Sequence, residues 1–278
     1  MPLARIHISV RTLVLGLLLQ ACGAPAQLNQ STPRLLATLP EPAAAFTTDP
    51  LNHLYLITPD NTLIKYDADG RELFRFSDNT LGTLAHLDAS NPFRLLLFYP
   101  DMQQVRFLDR TLAPIGSLDL GALGFWQVPA LALSSDNQLW LYDPRTFQLK
   151  KLDARGKVLL HSSDLQLLLG QAPQPTFLLE ARQTVFLLDP ARGIHLFDLF
   201  GQYLKTLPLQ GLRRFQVLDE RLIYRNPAGR MEAFHLQSLL TQTLSLPEGL
   251  PPFEELRFGK GRLFLLHQRR LHIFDWNP

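Results

Sequence analysis

Leu54-Tyr55-Leu56-Ile57-Thr58-Pro59-Asp60-Asn61-Thr62-Leu63-Ile64-Lys65-Tyr66-Asp67-Ala68-Asp69-Gly70 reads as strand, turn, strand, turn. Two short apolar runs flank a Pro-Asp-Asn bend, and the second run ends on Asp and Gly, residues that turn the chain through side-chain bonds to nearby amides or through a positive φ. The first run recurs as His53-Leu54-Tyr55-Leu56, Arg94-Leu95-Leu96-Leu97, Gln138-Leu139-Trp140-Leu141, Thr184-Val185-Phe186-Leu187, Arg221-Leu222-Ile223-Tyr224 and Arg262-Leu263-Phe264-Leu265. From the second residue of each copy to the next, the steps are 41, 44, 46, 37 and 41 residues. Each copy, the second strand of its repeat, leads to a third strand that closes on Tyr66-Asp67, Leu108-Asp109, Leu152-Asp153, Phe197-Asp198, Phe234-His235 or Phe274-Asp275. A further strand leads away from several of them, over 72–76, 158–162 and 203–207.

A period near 40 residues built from strands predicts a propeller blade of four antiparallel strands, and six copies predict a six-bladed β-propeller over residues 33–278. The apolar runs are short and interrupted by Pro, Asn, Asp and Gly, which favours strands over a helical solenoid of similar period. They alternate weakly between apolar and polar, as expected where each blade is covered on both faces by its neighbours. The last copy stops after its third strand. Arg34-Leu35-Leu36-Ala37-Thr38-Leu39 stands ahead of the first full copy and supplies the missing strand, which closes the ring and hides its edges.

The amino terminus is a separate object. Residues 1–11 carry Arg5 and Arg11 without an acid, and Thr12-Leu13-Val14-Leu15-Gly16-Leu17-Leu18-Leu19 is an apolar core too short to span a bilayer. Gln20-Ala21-Cys22 follows. Residues 1–21 thus have the form of a secretory signal. With Leu19, Ala21 and Cys22 in register, they resemble a bacterial lipoprotein signal, although Gln20 stands where such signals prefer a small residue. The resemblance implies that Cys22 becomes the first residue of the mature chain, carries lipid and anchors the protein to a membrane, with residues 22–32 as a flexible tether. No Asp follows Cys22 and no acidic cluster lies near it, which by the same resemblance implies an outer-membrane anchor facing the periplasm. Cys22 is the only cysteine, so neither an intramolecular disulfide nor a cysteine metal site can form.

Without its leader the chain has 25 basic and 25 acidic residues, and no Lys/Arg stripe of the kind that tracks a phosphate backbone, so no nucleic-acid partner is expected. Thr58, Tyr99, Asp143, Asp189, Asn226 and His267 hold one equivalent position at the end of the second strand. They are either a ring of ligand groups or caps of the turns they start. His195 and His272 share a position that other copies fill with Ile64, Arg106, Lys150 and Glu232, the pattern of a mixed surface between blades. No zinc-protease, nucleophile-elbow, phosphate-loop or calcium-loop motif is present.

The turns after the second strands share a face with the connections between blades, and two of those connections are long: 121–128 and 164–176. Phe125, Trp126, Arg145, Arg192 and Arg213 fall there, aromatic and guanidinium groups of the type that protein interfaces use. The alternative is that Phe125 and Trp126 fold over the core.

With Leu54-Tyr55-Leu56 and Tyr66-Asp67-Ala68-Asp69-Gly70 as its best copy, the repeat resembles the six-bladed propellers of the NHL and SMP-30 type. That group implies binding scaffolds, calcium-dependent lactonases or lyases. The expectation is a membrane-anchored, non-catalytic protein-binding or scaffold module of the bacterial cell envelope, with a protein partner and without cofactor, metal or catalytic residue. It would be similar in role to the eight-bladed lipoprotein of the outer-membrane β-barrel assembly machinery. One alternative is a metal-dependent, lactonase-like hydrolase relying on acids such as Glu180 and Asp219 in the first strands. The other is a carbohydrate or peptide recognition module with Trp126 as stacking platform.

Overall fold

A computed structural model describes residues 32–276 of the chain. The leader 1–21, Cys22 and nearly all of the tether lie outside the described residues. Among the described residues no helix is long and apolar enough to cross a membrane.

Strand β1 (Arg34–Thr38) comes first in the chain and last in its sheet. The first blade is β2 (Ala45–Thr48), β3 (Leu54–Ile57), β4 (Leu63–Tyr66) and β5 (Glu72–Phe76), paired antiparallel in that order. The second is β6 (His86–Asn91), β7 (Arg94–Tyr99), β8 (Gln104–Asp109) and β9 (Pro114–Asp119). The third is β10 (Leu131–Leu133), β11 (Leu139–Asp143), β12 (Gln148–Leu152) and β13 (Val158–His161). The fourth is β14 (Phe177–Ala181), β15 (Thr184–Asp189), β16 (Gly193–Phe197) and β17 (Tyr203–Leu207), and the fifth β18 (Gln216–Leu218), β19 (Arg221–Arg225), β20 (Met231–His235) and β21 (Thr241–Thr243). The sixth is β22 (Glu255–Gly259), β23 (Arg262–His267) and β24 (Arg270–Asp275), completed by β1. First strands of successive blades touch one another, β22 with β2, β2 with β6, β6 with β10 and β10 with β14, and so surround a common axis. The protein is a six-bladed β-propeller.

Its core is divided among the blade interfaces. Leu54 and Leu56 pack toward the sixth blade with Phe264, Leu271 and Ile273, while the intervening Tyr55 and Ile57 pack toward the second with Leu95, Leu97 and Tyr99. Likewise Leu139 and Leu141 join Leu96 and Phe107, whereas Trp140 and Tyr142 join Val185, Leu187 and Phe197. A strand's two faces each meet an apolar neighbour, which is why the sequence reads as unbroken Leu, Phe and Tyr. At about 25 cal/mol per Å² of apolar surface removed from water, these interfaces supply most of the folding energy.

The recurrent Asp after the third strand is a turn device. Asp67 Oδ1 accepts the amides of Asp69 and Arg71 at 3.1 and 2.9 Å, and Asp153 and Asp198 accept the amides two and four residues on in the same way. In the fifth blade, whose copy lacks the Asp, His235 Nδ1 takes over and accepts the amides of Gln237 and Ser238 at 3.3 and 3.4 Å.

Closure follows the same rules as an intact blade. β1 pairs with β24, Arg34 opposite Asp275 and Thr38 opposite His272. Thr38 Oγ1 lies 2.8 Å from His272 Nδ1. In the fourth blade, made of one continuous segment, His195 opposes Thr206 and the corresponding distance is 2.7 Å. The two histidines that share a repeat position therefore share a partner on the outermost strand, and β1 occupies the register of a true fourth strand. Arg34 reaches Asp275 at 3.2 Å, and the Leu39 amide donates to the Leu271 carbonyl at 2.8 Å.

Candidate functional site

Antiparallel order around the ring places the turns after the second strands and the connections between blades on one face. Thr58, Asp143, Asp189 and Asn226 of the polar ring on that face hold turns or the adjoining connection, whereas the Tyr99 side chain makes no cap hydrogen bond. Thr58 Oγ1 accepts the Thr62 amide at 2.9 Å. Asp143 Oδ1 accepts the Arg145 amide at 3.0 Å, and its Oδ2 accepts Thr146 Oγ1 at 3.0 Å and Lys150 Nζ at 2.6 Å. Burial works against the Asp143 charge, but these donors outweigh it and hold the carboxyl below the usual carboxylate range. Asp189 takes the amides of Ala191 and Gln174, each at 2.9 Å, and Asn226 the amide of Arg230 at 2.9 Å. Capping accounts for these positions.

The acids offered for a metal site are placed differently. Glu180 on β14 is clasped by the third blade: Ser134 Oγ and Trp140 Nε1 each donate to its Oε2 at 2.6 Å, and the Ser135 amide to its Oε1 at 2.8 Å. Burial raises the Glu180 pKa, yet these hydrogen bonds more than compensate and leave it lowered. Asp219 lies in the turn between β18 and β19 at φ 49°. Among the described residues no group of three or more His, Cys, Asp or Glu is arranged to hold a metal ion.

The five residues expected on the binding face separate. Phe125 is buried, 7% exposed, against Leu120, Val128 and Leu141, with the Lys150 ammonium 5.6 Å from its ring centroid. Its ring is core and supports the loop from beneath. Trp126 points the other way, 54% exposed, with Gly121 under its indole: a Cβ there would come within 3.2 Å of the ring. Arg145 is exposed, and its guanidinium reaches the Gly124 carbonyl of the same loop at 3.4 Å. Arg192 is a brace, donating to the Ala172 carbonyl at 2.7 Å and to Asp189 Oδ2 at 2.9 Å, so that it fastens the long connection to the fourth blade. Arg213 is exposed and lines a cavity at the axis.

The connection 164–176, expected as a loop, contains one helical turn, α1 (Leu165–Leu169). Asp164 caps it by accepting the amides of Gln166 and Leu167, Gly170 ends it at φ 75°, and Leu165 is buried as its anchor. That anchoring turns Leu167 and Leu168 outward, Leu167 to 82% exposure. Met102, in the turn after β7, is exposed on the same face. Met102, Trp126, Leu167 and Leu168 thus form an apolar arc over the second to fourth blades, with Arg145 within it.

No family model matches the chain, and no curated protein matches it. Solved structures do resemble it. The Pan2 WD40 domain of Neurospora crassa aligns with TM-score 0.55 at 13% identity, covering 90% of this chain and 97% of that one. A chain of a mitotic checkpoint complex aligns with TM-score 0.57 at 11% identity, covering 98% and 100%. A catalytically inactive virginiamycin B lyase from Staphylococcus aureus, solved with quinupristin, aligns with TM-score 0.56 at 8% identity, covering 90% and 97%. At such identities the likeness is one of fold.

Around the axis the structure joins Arg213 to residues that the sequence did not single out. A cavity of about 710 Å³ opens between the fifth and sixth blades, lined by Arg213, Arg214, Arg225, Arg257, Glu254 and Glu255 among others. A second, of about 220 Å³, lies across the axis beside His86, Ala130 and Phe177, and Arg214 lines both. His86 opposes Phe98, Phe177 opposes Leu188 and Glu255 opposes Leu266, so they stand on one rung of their first strands. Only three-dimensional closure brings that rung together.

Proposed function

We propose that this chain is a lipid-anchored, non-catalytic protein-binding propeller of the bacterial cell envelope, held through Cys22 in the outer membrane and facing the periplasm. The propeller places its apolar arc, Met102, Trp126, Leu167 and Leu168, on the face where blades are joined. This arc carries the proposal, because a large exposed Trp on the same face as exposed aliphatic groups and Arg145 has the composition of an interface centre. Of the acids named for hydrolytic chemistry, Glu180 is engaged in holding the third and fourth blades together and Asp219 lies in a turn. The lipid anchor rests on residues 1–22 alone, whose apolar core and terminal Cys match the lipoprotein pattern.

The test is affinity capture from crosslinked native membranes, with Trp126→Ala and Leu167→Ser carried in one variant and Cys22→Ser as the unanchored control. Truncating a central interface residue costs about 2 kcal/mol or more, so capture of the partner should fall about 30-fold in the variant while its melting temperature stays within about 2 °C of wild type. Equal capture by wild type and variant would refute the assignment of this face.

A further inference from the structure

We propose that the axial mouth beside the fifth blade binds a small organic anion through a carboxylate or phosphate group. Two features of this cavity support the site, together with one of the neighbouring cavity that shares Arg214 with it.

The first is an excess of positive charge. Arg213, Arg214, Arg225 and Arg257 line the cavity together with Glu254 and Glu255. Arg257 is bonded only weakly inside the protein, its Nε 3.4 Å from Thr48 Oγ1 and its guanidinium 3.9 Å from Glu255 Oε1. Its side chain is 16% exposed, and burial together with the nearby charge of Arg214 acts to lower its pKa, with Glu255 and Asp88 acting in opposition. Arg225 spends its donors on the backbone carbonyls of Gly229 and Glu254. No carboxylate among the described residues lies within 4.0 Å of the Arg213 or Arg214 guanidinium. Guanidinium groups gathered in a partly desolvated cleft form strong, geometrically selective bonds with planar oxyanions.

The second is an orphaned donor or acceptor on the far side of Arg214. His86 Nε2 is buried and meets no hydrogen-bond partner among the described residues. The His86 ring stands edge-on to Phe177 at 6.0 Å, and the Arg214 guanidinium lies 5.9 Å over the same phenyl ring. Burial, with Arg214 adding repulsion, pushes the His86 pKa down to about 3 and keeps the imidazole neutral. The Nε2 atom is thus available to a hydrogen-bonding group that enters beside Arg214.

The third is size. About 710 Å³ lies within the range of small-molecule sites, and the lining includes the apolar Phe215, Ile223, Met231 and Leu256 as well as the arginines. The inferred ligand therefore combines an oxyanion with a compact body. This site is separate from the apolar arc, and its loss would leave the protein-binding reading standing.

The full-length protein in detergent would be titrated by calorimetry with citrate and, in a second arm, with pyrophosphate, so that carboxylate and phosphate chemistry are told apart. Saturable one-to-one binding of at least one probe is expected. Affinity should fall roughly 10- to 100-fold in Arg214→Gln and in Arg257→Gln, the loss of one charge-assisted contact, and remain unchanged in Arg155→Gln on the exposed turn of the third blade. Arg214→Gln removes no side-chain hydrogen bond among the described residues, so it decides the matter if Arg257→Gln melts early. Absence of saturable binding in both arms, or binding that Arg214→Gln leaves unchanged, would overturn the proposal.

Discussion

Deleting residues 34–39 from the otherwise complete chain is expected to abolish cooperative folding of the propeller. β1 contributes the fourth strand of the sixth blade, its ladder with β24, the Thr38–His272 hydrogen bond and the Arg34–Asp275 ion pair. Beyond the strand, Leu39 is 1% exposed in the cluster shared by the sixth and first blades. Burying one Leu is worth about 1.5–3 kcal/mol. Each net backbone hydrogen bond adds about 0.5–1.5 kcal/mol. The loss therefore approaches the 5–15 kcal/mol that a whole domain commands. It also uncovers β24, whose free edge would template pairing between molecules. The exposed Arg34–Asp275 pair adds little to that sum. Urea unfolding followed by circular dichroism, with gel filtration of the same sample, should show an early, broadened transition and aggregation. A monomeric deletion variant with the wild-type midpoint would mean that the ring does not depend on its Velcro strand.

Glu180→Ala is expected to destabilise the protein by about 3–5 kcal/mol, close to the cost of removing one member of a buried charged network. The substitution leaves Trp140 Nε1, Ser134 Oγ and the Ser135 amide without their acceptor, and Trp140 is fully buried. Each orphaned buried donor costs about 1–3 kcal/mol. For a domain of this length the melting temperature should drop by roughly 10 °C in calorimetry. The lowered Glu180 pKa has the same origin: folding favours its ionised form, so this contribution is present at neutral pH and fades as pH falls through the carboxylate range. An unchanged or raised melting temperature would point instead to a carboxylate held in strain for chemistry, and would revive the hydrolase reading.

The parts of the molecule legible in its sequence are those whose physics is local. A strand packed on two sides must be apolar at every position, and Leu54, Tyr55, Leu56 and Ile57 advertise that without any knowledge of which neighbour each one meets. The Asp of Tyr66-Asp67 binds amides two and four residues away, so its spacing from Gly70 is fixed within one turn. The short outer strand β21, Thr241–Thr243, is exposed throughout and carries no such signature. Phe125 and Trp126 show where local reading stops. Adjacent aromatic residues in one loop look alike, and the wedge that takes Phe125 in and leaves Trp126 out joins Leu120 and Val128 of the loop itself to Leu141 of β11. Leu167 is exposed because Leu165 anchors a helical turn, which the run of leucines does not announce. His86, Arg214 and Arg257 come from three blades and meet only around the axis, so no spacing announces them. Arg213-Arg214, a tandem charge just ahead of a first strand, was the one available hint.

The most direct test of a protein-binding face is site-specific photocrosslinking in living cells from a benzophenone residue placed at position 126, at 167, or at 200. Phe200 is 72% exposed in the turn between β16 and β17, as apolar and accessible as Leu167 but outside the arc. Discrete, light-dependent adducts to one envelope protein from 126 and 167, and none from 200, are predicted. Adducts of equal yield from all three positions, or from 200 alone, would contradict the account.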